Sequence, residues 1–92
     1  MEDTGEPVEY PLDGTLDLHM FAPSDAGDLV RDYLAACREK GILDVRIVHG
    51  KGTGALRETV HAILGRIDFV QDFRLAGGDG GSWGATLVRL KP

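Results

Sequence analysis

The 92-residue chain has room for one domain and buries only a modest share of its surface, which excludes a large catalytic cavity. Apolar residues make up 42% and charged residues 27%, the balance of a soluble globular protein rather than a disordered or fibrous one. No apolar run is long enough to span a bilayer. The acidic start Met-Glu-Asp-Thr-Gly-Glu lacks the basic flank and apolar stretch of a signal peptide, so a cytoplasmic location is expected. The net charge of −5 argues at first against a polyanionic partner. Its distribution changes that reading, because residues 1–13 hold five acids and no Lys or Arg, leaving ten of each sign in residues 14–92. Within this neutral body, residues 45–57 carry Arg46, His49, Lys51 and Arg57 and no carboxylate, which makes one local surface positive.

Residues 1–13, with Pro7 and Pro11 and no apolar period, read as an acidic extended arm ahead of a domain over 14–92. In Thr15-Leu16-Asp17-Leu18-His19 strict alternation predicts a short strand with Leu16 and Leu18 on one face and Asp17 and His19 on the other. Pro23 ends any extension of it. Ser24 fits an N-cap, after which Ala26, Leu29, Val30, Tyr33, Leu34 and Cys37 repeat at helical spacing until Gly41. The single cysteine, Cys37, falls on that apolar stripe and reads as a small buried hydrophobe, in keeping with a reducing compartment.

Val45-Arg46-Ile47-Val48 reads as an inner strand covered on both faces. After His49-Gly50-Lys51-Gly52-Thr53-Gly54, the residues Leu56, Val60, Ile63 and Leu64 recur at helical spacing up to Gly65. Residues 69–75 and 85–90 read as two further strands, separated by the glycine-rich segment 77–82. The order is βαβαββ. Each strand–helix–strand connection demands a crossover and makes the first two strands parallel, giving an α/β two-layer sandwich with a mixed sheet. Ligands of such sheets gather at the carboxyl ends of parallel strands, where His19 and His49 both fall.

The chemistry concentrates there. Three glycines at a helix entrance let backbone amides approach a phosphate, and Lys51 adds a point charge. The loop is not a Walker A motif, since no Gly-Lys-Ser/Thr closes it, and the match to the dinucleotide fingerprint is weak. Asp17 beside His19 would fix the imidazole tautomer and raise its basicity, or form a structural pair. His61, on a helix flank, reads as structural. Trp83 either stacks on an unpaired base or packs over the sheet edge. The three histidines lack the spacing of a metal centre, which leaves a divalent cofactor open but unsupported.

Taken together, Leu16-Asp17-Leu18-His19, the run from His49 to Arg57, and the run from Gly80 to Val88 resemble the motifs of the Smr (small MutS-related) domain over residues 14–92. The resemblance implies a fold similar to the C-terminal domain of translation initiation factor three, and DNA nicking or RNA cleavage as in many members. The chain looks like the stand-alone form. It departs from the family at Met20-Phe21, where a glycine often follows the Leu-Asp-Leu-His motif. The expected function is a nucleic-acid-binding domain acting as an endonuclease on DNA or RNA. In that role His19 and His49 serve as acid and base, and Asp17 orients His19. Arg46, Gly50, Lys51, Gly52, Thr53, Gly54, Arg57 and Trp83 form the binding surface. The rival expectation is a non-catalytic DNA- or RNA-binding module acting with a repair or ribosome-associated partner.

Overall fold

The computed structural model describes residues 12–50, 54–76 and 84–92. Its elements are β1 (Thr15–Asp17), α1 (Pro23–Glu39), β2 (Asp44–Val48), α2 (Ala55–Leu64), β3 (Val70–Leu75) and β4 (Ala85–Leu90), in the expected order. The strands form a mixed sheet of order β1-β2-β4-β3, with β1 parallel to β2 and the other neighbours antiparallel. α1 makes the crossover that parallel pairing requires.

β1 is shorter than its alternation predicts, and the reason is local. The Asp17 carboxylate accepts the His19 amide at 3.0 Å, and the Phe21 amide donates to the Leu18 carbonyl at 2.8 Å. Such a side-chain-to-backbone bond turns the chain out of the ladder. The Leu18 amide still reaches the Val48 carbonyl at 2.7 Å, so the turn begins directly at the sheet.

α1 starts one residue before Ser24, which is therefore not its cap. Ala22 holds the cap position in extended conformation, with no side-chain cap bond, and Pro23 follows in the first turn. Proline has a helix-compatible φ and no N–H to leave unpaired, so it starts the helix and places Ser24 inside it. The apolar stripe is as expected: Ala26, Val30, Tyr33, Leu34 and Cys37 are buried, and burial pushes the Cys37 thiol pKa up. Tyr33 also fixes the start of β1, its hydroxyl accepting the Gly14 amide at 3.2 Å and donating to the Thr15 carbonyl at 3.0 Å.

Leu16, Leu18, Val45, Ile47, Val88 and Leu90 from the sheet side share one core with the α1 stripe and with Val60 and Leu64 of α2. The alternate strand positions are mostly polar. Thr15, Arg46, Leu87 and Arg74 stand in one row across the sheet, with Asp44, Arg89 and Asp72 in the next. Arg89 Nη1 lies 2.8 Å from both Asp44 carboxylate oxygens. Among the described residues, therefore, helices cover only one face of β2. Among the described residues the helices bury Val45 and Ile47, while Arg46 and Val48 are half-buried on the other side. An arginine stem can cover a strand while its guanidinium stays in water, which lets Arg46 occupy an inner strand without a helix above it.

Candidate functional site

Parallel pairing sets Asp17 of β1 beside Val48 of β2, so the residues that follow each strand become neighbours. Gly50 makes this possible. Its φ of 82° is a left-handed conformation open mainly to glycine, and a Cβ there would sit 3.6 Å from the His19 Cβ. The amides of His49 and Gly50 both donate to the Gly84 carbonyl, at 2.8 and 2.9 Å, tying the root of the glycine loop to the start of β4. At the far end, Gly54 caps α2 with φ 91° and no side-chain cap bond. Between these anchors lies a cleft of about 240 Å³, faced by His19, Phe21, His49, Gly50, Gly54 and Arg57.

The two histidines at the strand ends have opposite environments. His19 is 54% exposed, and its Nδ1 lies 2.6 Å from Asp17 Oδ1. A carboxylate only accepts, so Nδ1 carries the hydrogen, and in the neutral ring the basic nitrogen is Nε2. The bond from the His19 amide, followed by the bond from its imidazole, holds the Asp17 carboxyl below its ordinary pKa of 3.8, so it is ionised wherever the pair works near neutrality. Among the described residues, Nε2 makes no hydrogen bond.

His49 is only 4% exposed, and both its nitrogens are engaged. Nδ1 is 3.0 Å from the Gly50 carbonyl and Nε2 is 2.8 Å from Thr86 Oγ1. The same hydroxyl lies 2.7 Å from His61 Nε2. Thr86 is fully buried, and the imidazoles of His49 and His61 meet edge to face with centroids 6.2 Å apart. Burial, then His49, then Arg57 push the His61 pKa below its ordinary 6.5.

Arg57 folds back over the start of its own helix. A Cβ at Gly54 would lie 2.9 Å from Arg57 Nη2, so the guanidinium stands where the α2 dipole is already positive. Two positive features at one point favour an anion between them.

The structure thus brings together Asp17, His19, His49, Gly50, Gly54 and Arg57, but not Arg46. That side chain belongs to a depression on the helix-free sheet face, with Thr15, Asp44, Arg74, Leu87 and Arg89. Lys51, Gly52, Thr53 and Trp83 lie outside the described residues. Sequence reasoning missed Thr86 and the place of His61. The signal was present: Thr86 shares the inward face of β4 with Val88 and Leu90, and an inward hydroxyl needs a partner. Among the described residues no three His, Cys, Asp or Glu side chains gather as a metal site, and no helix is long and apolar enough to cross a membrane.

A βαβαββ fold with a mixed four-stranded sheet, carrying an Asp–His pair and a histidine-led glycine loop at adjacent parallel strand ends, defines a small class of α/β domains. The Smr domain model matches residues 16–91, and the chain belongs to that family. The Smr domain of Thermus thermophilus MutS2 superposes with a TM-score of 0.81 at 36% identity, over 85% of this chain and 98% of that one. YdaL, a stand-alone small MutS-related protein from Escherichia coli, superposes with a TM-score of 0.80 at 27% identity, over 91% of this chain and 69% of that one. Endonuclease MutS2 of Lachnoclostridium phytofermentans is 42% identical over 67 residues, and that of Fusobacterium nucleatum 35% over 81. These matches take in 73% and 88% of this chain but only 8% and 10% of those much longer proteins.

Proposed function

We propose that the chain binds nucleic acid at the cleft between the β1 and β2 ends and cleaves a phosphodiester there, with His19 as the proton-transfer group. The observation that carries this is the Asp17–His19 pair, whose basic nitrogen has no protein partner among the described residues in a cleft that Arg57 and the start of α2 make attractive to phosphate. The name endonuclease, borne by the MutS2 relatives, supports the same reading.

On RNA, His19 Nε2 takes the proton of a ribose 2′-hydroxyl, whose oxygen attacks the adjacent phosphorus. The P–O5′ bond breaks, the leaving oxygen takes a proton, and a cyclic phosphate remains. Asp17 holds the tautomer and stabilises the imidazolium formed. Arg57 and the loop with Lys51 offset the charge that builds on the phosphate oxygens. His49 was expected to share the acid and base roles with His19. With both its nitrogens bonded inside the protein, it fits better as the group that holds the loop, and water supplies the proton of the leaving oxygen.

The engagement of His49 also favours a second reading, a module that grips DNA or RNA without cutting it, since one available imidazole is fewer than an acid–base pair needs. Labelled single-stranded RNA and DNA, incubated with the protein and with His19→Ala, with and without EDTA, separate the two. RNA cut in EDTA to cyclic phosphate ends by the parent protein alone is the expected result. Equal cutting by His19→Ala overturns the role of His19. DNA nicking lost in EDTA transfers the activation of water to a metal. Binding without any cutting establishes the second reading.

A further inference from the structure

His49, Thr86 and His61 form a hydrogen-bonded chain that the proposed chemistry does not use, and its polarity can be assigned from donor and acceptor rules. The Gly50 carbonyl only accepts, so His49 Nδ1 must donate to it across 3.0 Å. In a neutral ring Nε2 is then an acceptor, and the hydrogen at 2.8 Å must come from Thr86. The Thr86 oxygen, its one hydrogen used, accepts from His61 Nε2 at 2.7 Å. One direction of donation, from α2 through β4 to the end of β2, satisfies every group.

This chain links the end of β2 to α2, the elements on either side of the glycine loop. His49 is the root from which the loop leaves β2. His61 stands seven residues beyond Gly54, about two turns into α2, the helix into which the loop delivers. Thr86 is fully buried and His49 nearly so, so water cannot replace a lost partner at little cost. The last link acts on the backbone at the root of the loop, through the Gly50 carbonyl, and Gly50 lines the same cleft as His19.

We propose that Thr86 and His61 are positioning residues of the cleft: they fix the His49 ring, whose Nδ1–H tautomer the Gly50 carbonyl sets, and thereby hold the Gly50 peptide in the geometry that faces nucleic acid. The proposal rests on the functional reading above for what the loop binds, and on the hydrogen bonds alone for how it is held.

The test compares Thr86→Val, which keeps the shape and removes the hydroxyl, with Thr86→Ser, which restores it. Imidazole ¹⁵N shifts report the His49 tautomer, Gly50 and Gly54 amide shifts report the loop, and titration with single-stranded RNA and DNA oligonucleotides reports binding. The parent protein should show a protonated Nδ1 and an unprotonated Nε2 on His49. Thr86→Val should shift the His49 Nε2 resonance, which loses its hydrogen bond, move both glycine amides and weaken binding about five- to tenfold, the worth of one hydrogen bond. Thr86→Ser should restore all three. A valine variant that melts at lower temperature yet keeps the parent His49 and glycine shifts overturns the proposal, since Thr86 then only packs. Altered His49 and glycine shifts with unchanged affinity overturn the link to binding. A parent protein that binds neither oligonucleotide overturns the functional reading, while the His49 and glycine shifts, which need no ligand, still decide how the loop is held.

Discussion

The ends of β1 and β2 lie side by side in one cleft, each is followed by a histidine, and the two histidines are built for opposite work. His19 is half exposed, with one nitrogen on a carboxylate and no described partner on the other. His49 is buried, with a carbonyl on one nitrogen and a hydroxyl on the other. A ring poised to exchange a proton with a substrate needs a nitrogen that the fold leaves open; a ring that holds a backbone needs both closed. Position at the end of a parallel strand does not separate these roles. The count of satisfied nitrogens does.

Alanine at the two positions should break this comparison in opposite directions. His19→Ala should reduce phosphodiester cleavage by about 10²- to 10⁴-fold, the usual contribution of a general base. Its melting temperature should stay near the parent's, because exposed substitutions usually change stability by no more than about 0.5 kcal/mol. His49→Ala should act first on the fold. It leaves the hydrogen of the Thr86 hydroxyl without its acceptor, though His61 still bonds the oxygen, and removes a nearly buried ring; a buried donor left unpaired costs about 1–3 kcal/mol. Kinetics and thermal melts on the same two proteins provide the check, and a His49→Ala protein with parent stability and no activity would return His49 to a direct catalytic role.

How much of this contrast was legible in the sequence follows from the range of the interactions involved. The Asp17–His19 pair is a contact between residues two apart and so falls within local reach. The turn made by the Asp17 carboxylate and the His19 amide, rather than strand alternation, brings them together. The parallel partnership of β1 and β2 follows from the helix between them. By contrast, Thr86 meets His49 across 37 positions and His61 across 25, and no local pattern encodes such a meeting. Only the inward place of a hydroxyl on an apolar strand face hinted at it. Arg46 misled for a related reason. Its nearness in sequence to Lys51 and Arg57 suggested one basic surface, but strand alternation directs it to the sheet face that the helices leave open.

A smaller effect sharpens the comparison from the side of acid. Burial, with His49 and Arg57 nearby, holds the His61 pKa below the 6.5 of an unfolded chain. Below that pH the unfolded state binds a proton that the folded state resists, so stability must fall as pH falls, and above it the contribution is complete. The melting temperature should therefore decline by a few degrees between pH 7.5 and 5.5. His61→Leu should flatten that decline relative to the parent, whereas a variant at exposed His19 that removes the same part of the pH dependence would show that the acid sensitivity resides at the other strand end.

The smallest expected effect concerns the cations. Arg57 lies over the start of α2, close enough that a side chain at Gly54 would meet its guanidinium, and it faces the same cleft as His19. If one phosphate sits there, its contact with Arg57 releases about one counterion, so Arg57→Ala should flatten the log–log salt dependence of binding by about one unit without altering sequence preference. The affinity loss itself should be a few-fold at low salt, since Lys51 and the loop remain. Arg46→Ala is the matched control, because it removes the same charge from the opposite face of the sheet, beside Arg74 and the Asp44–Arg89 pair. Binding confined to the cleft predicts an unchanged slope for that variant. If both variants lower the slope equally, nucleic acid must pass from the strand ends onto the helix-free face. The three arginines there would then form part of the contact surface rather than a solvated side of the sheet.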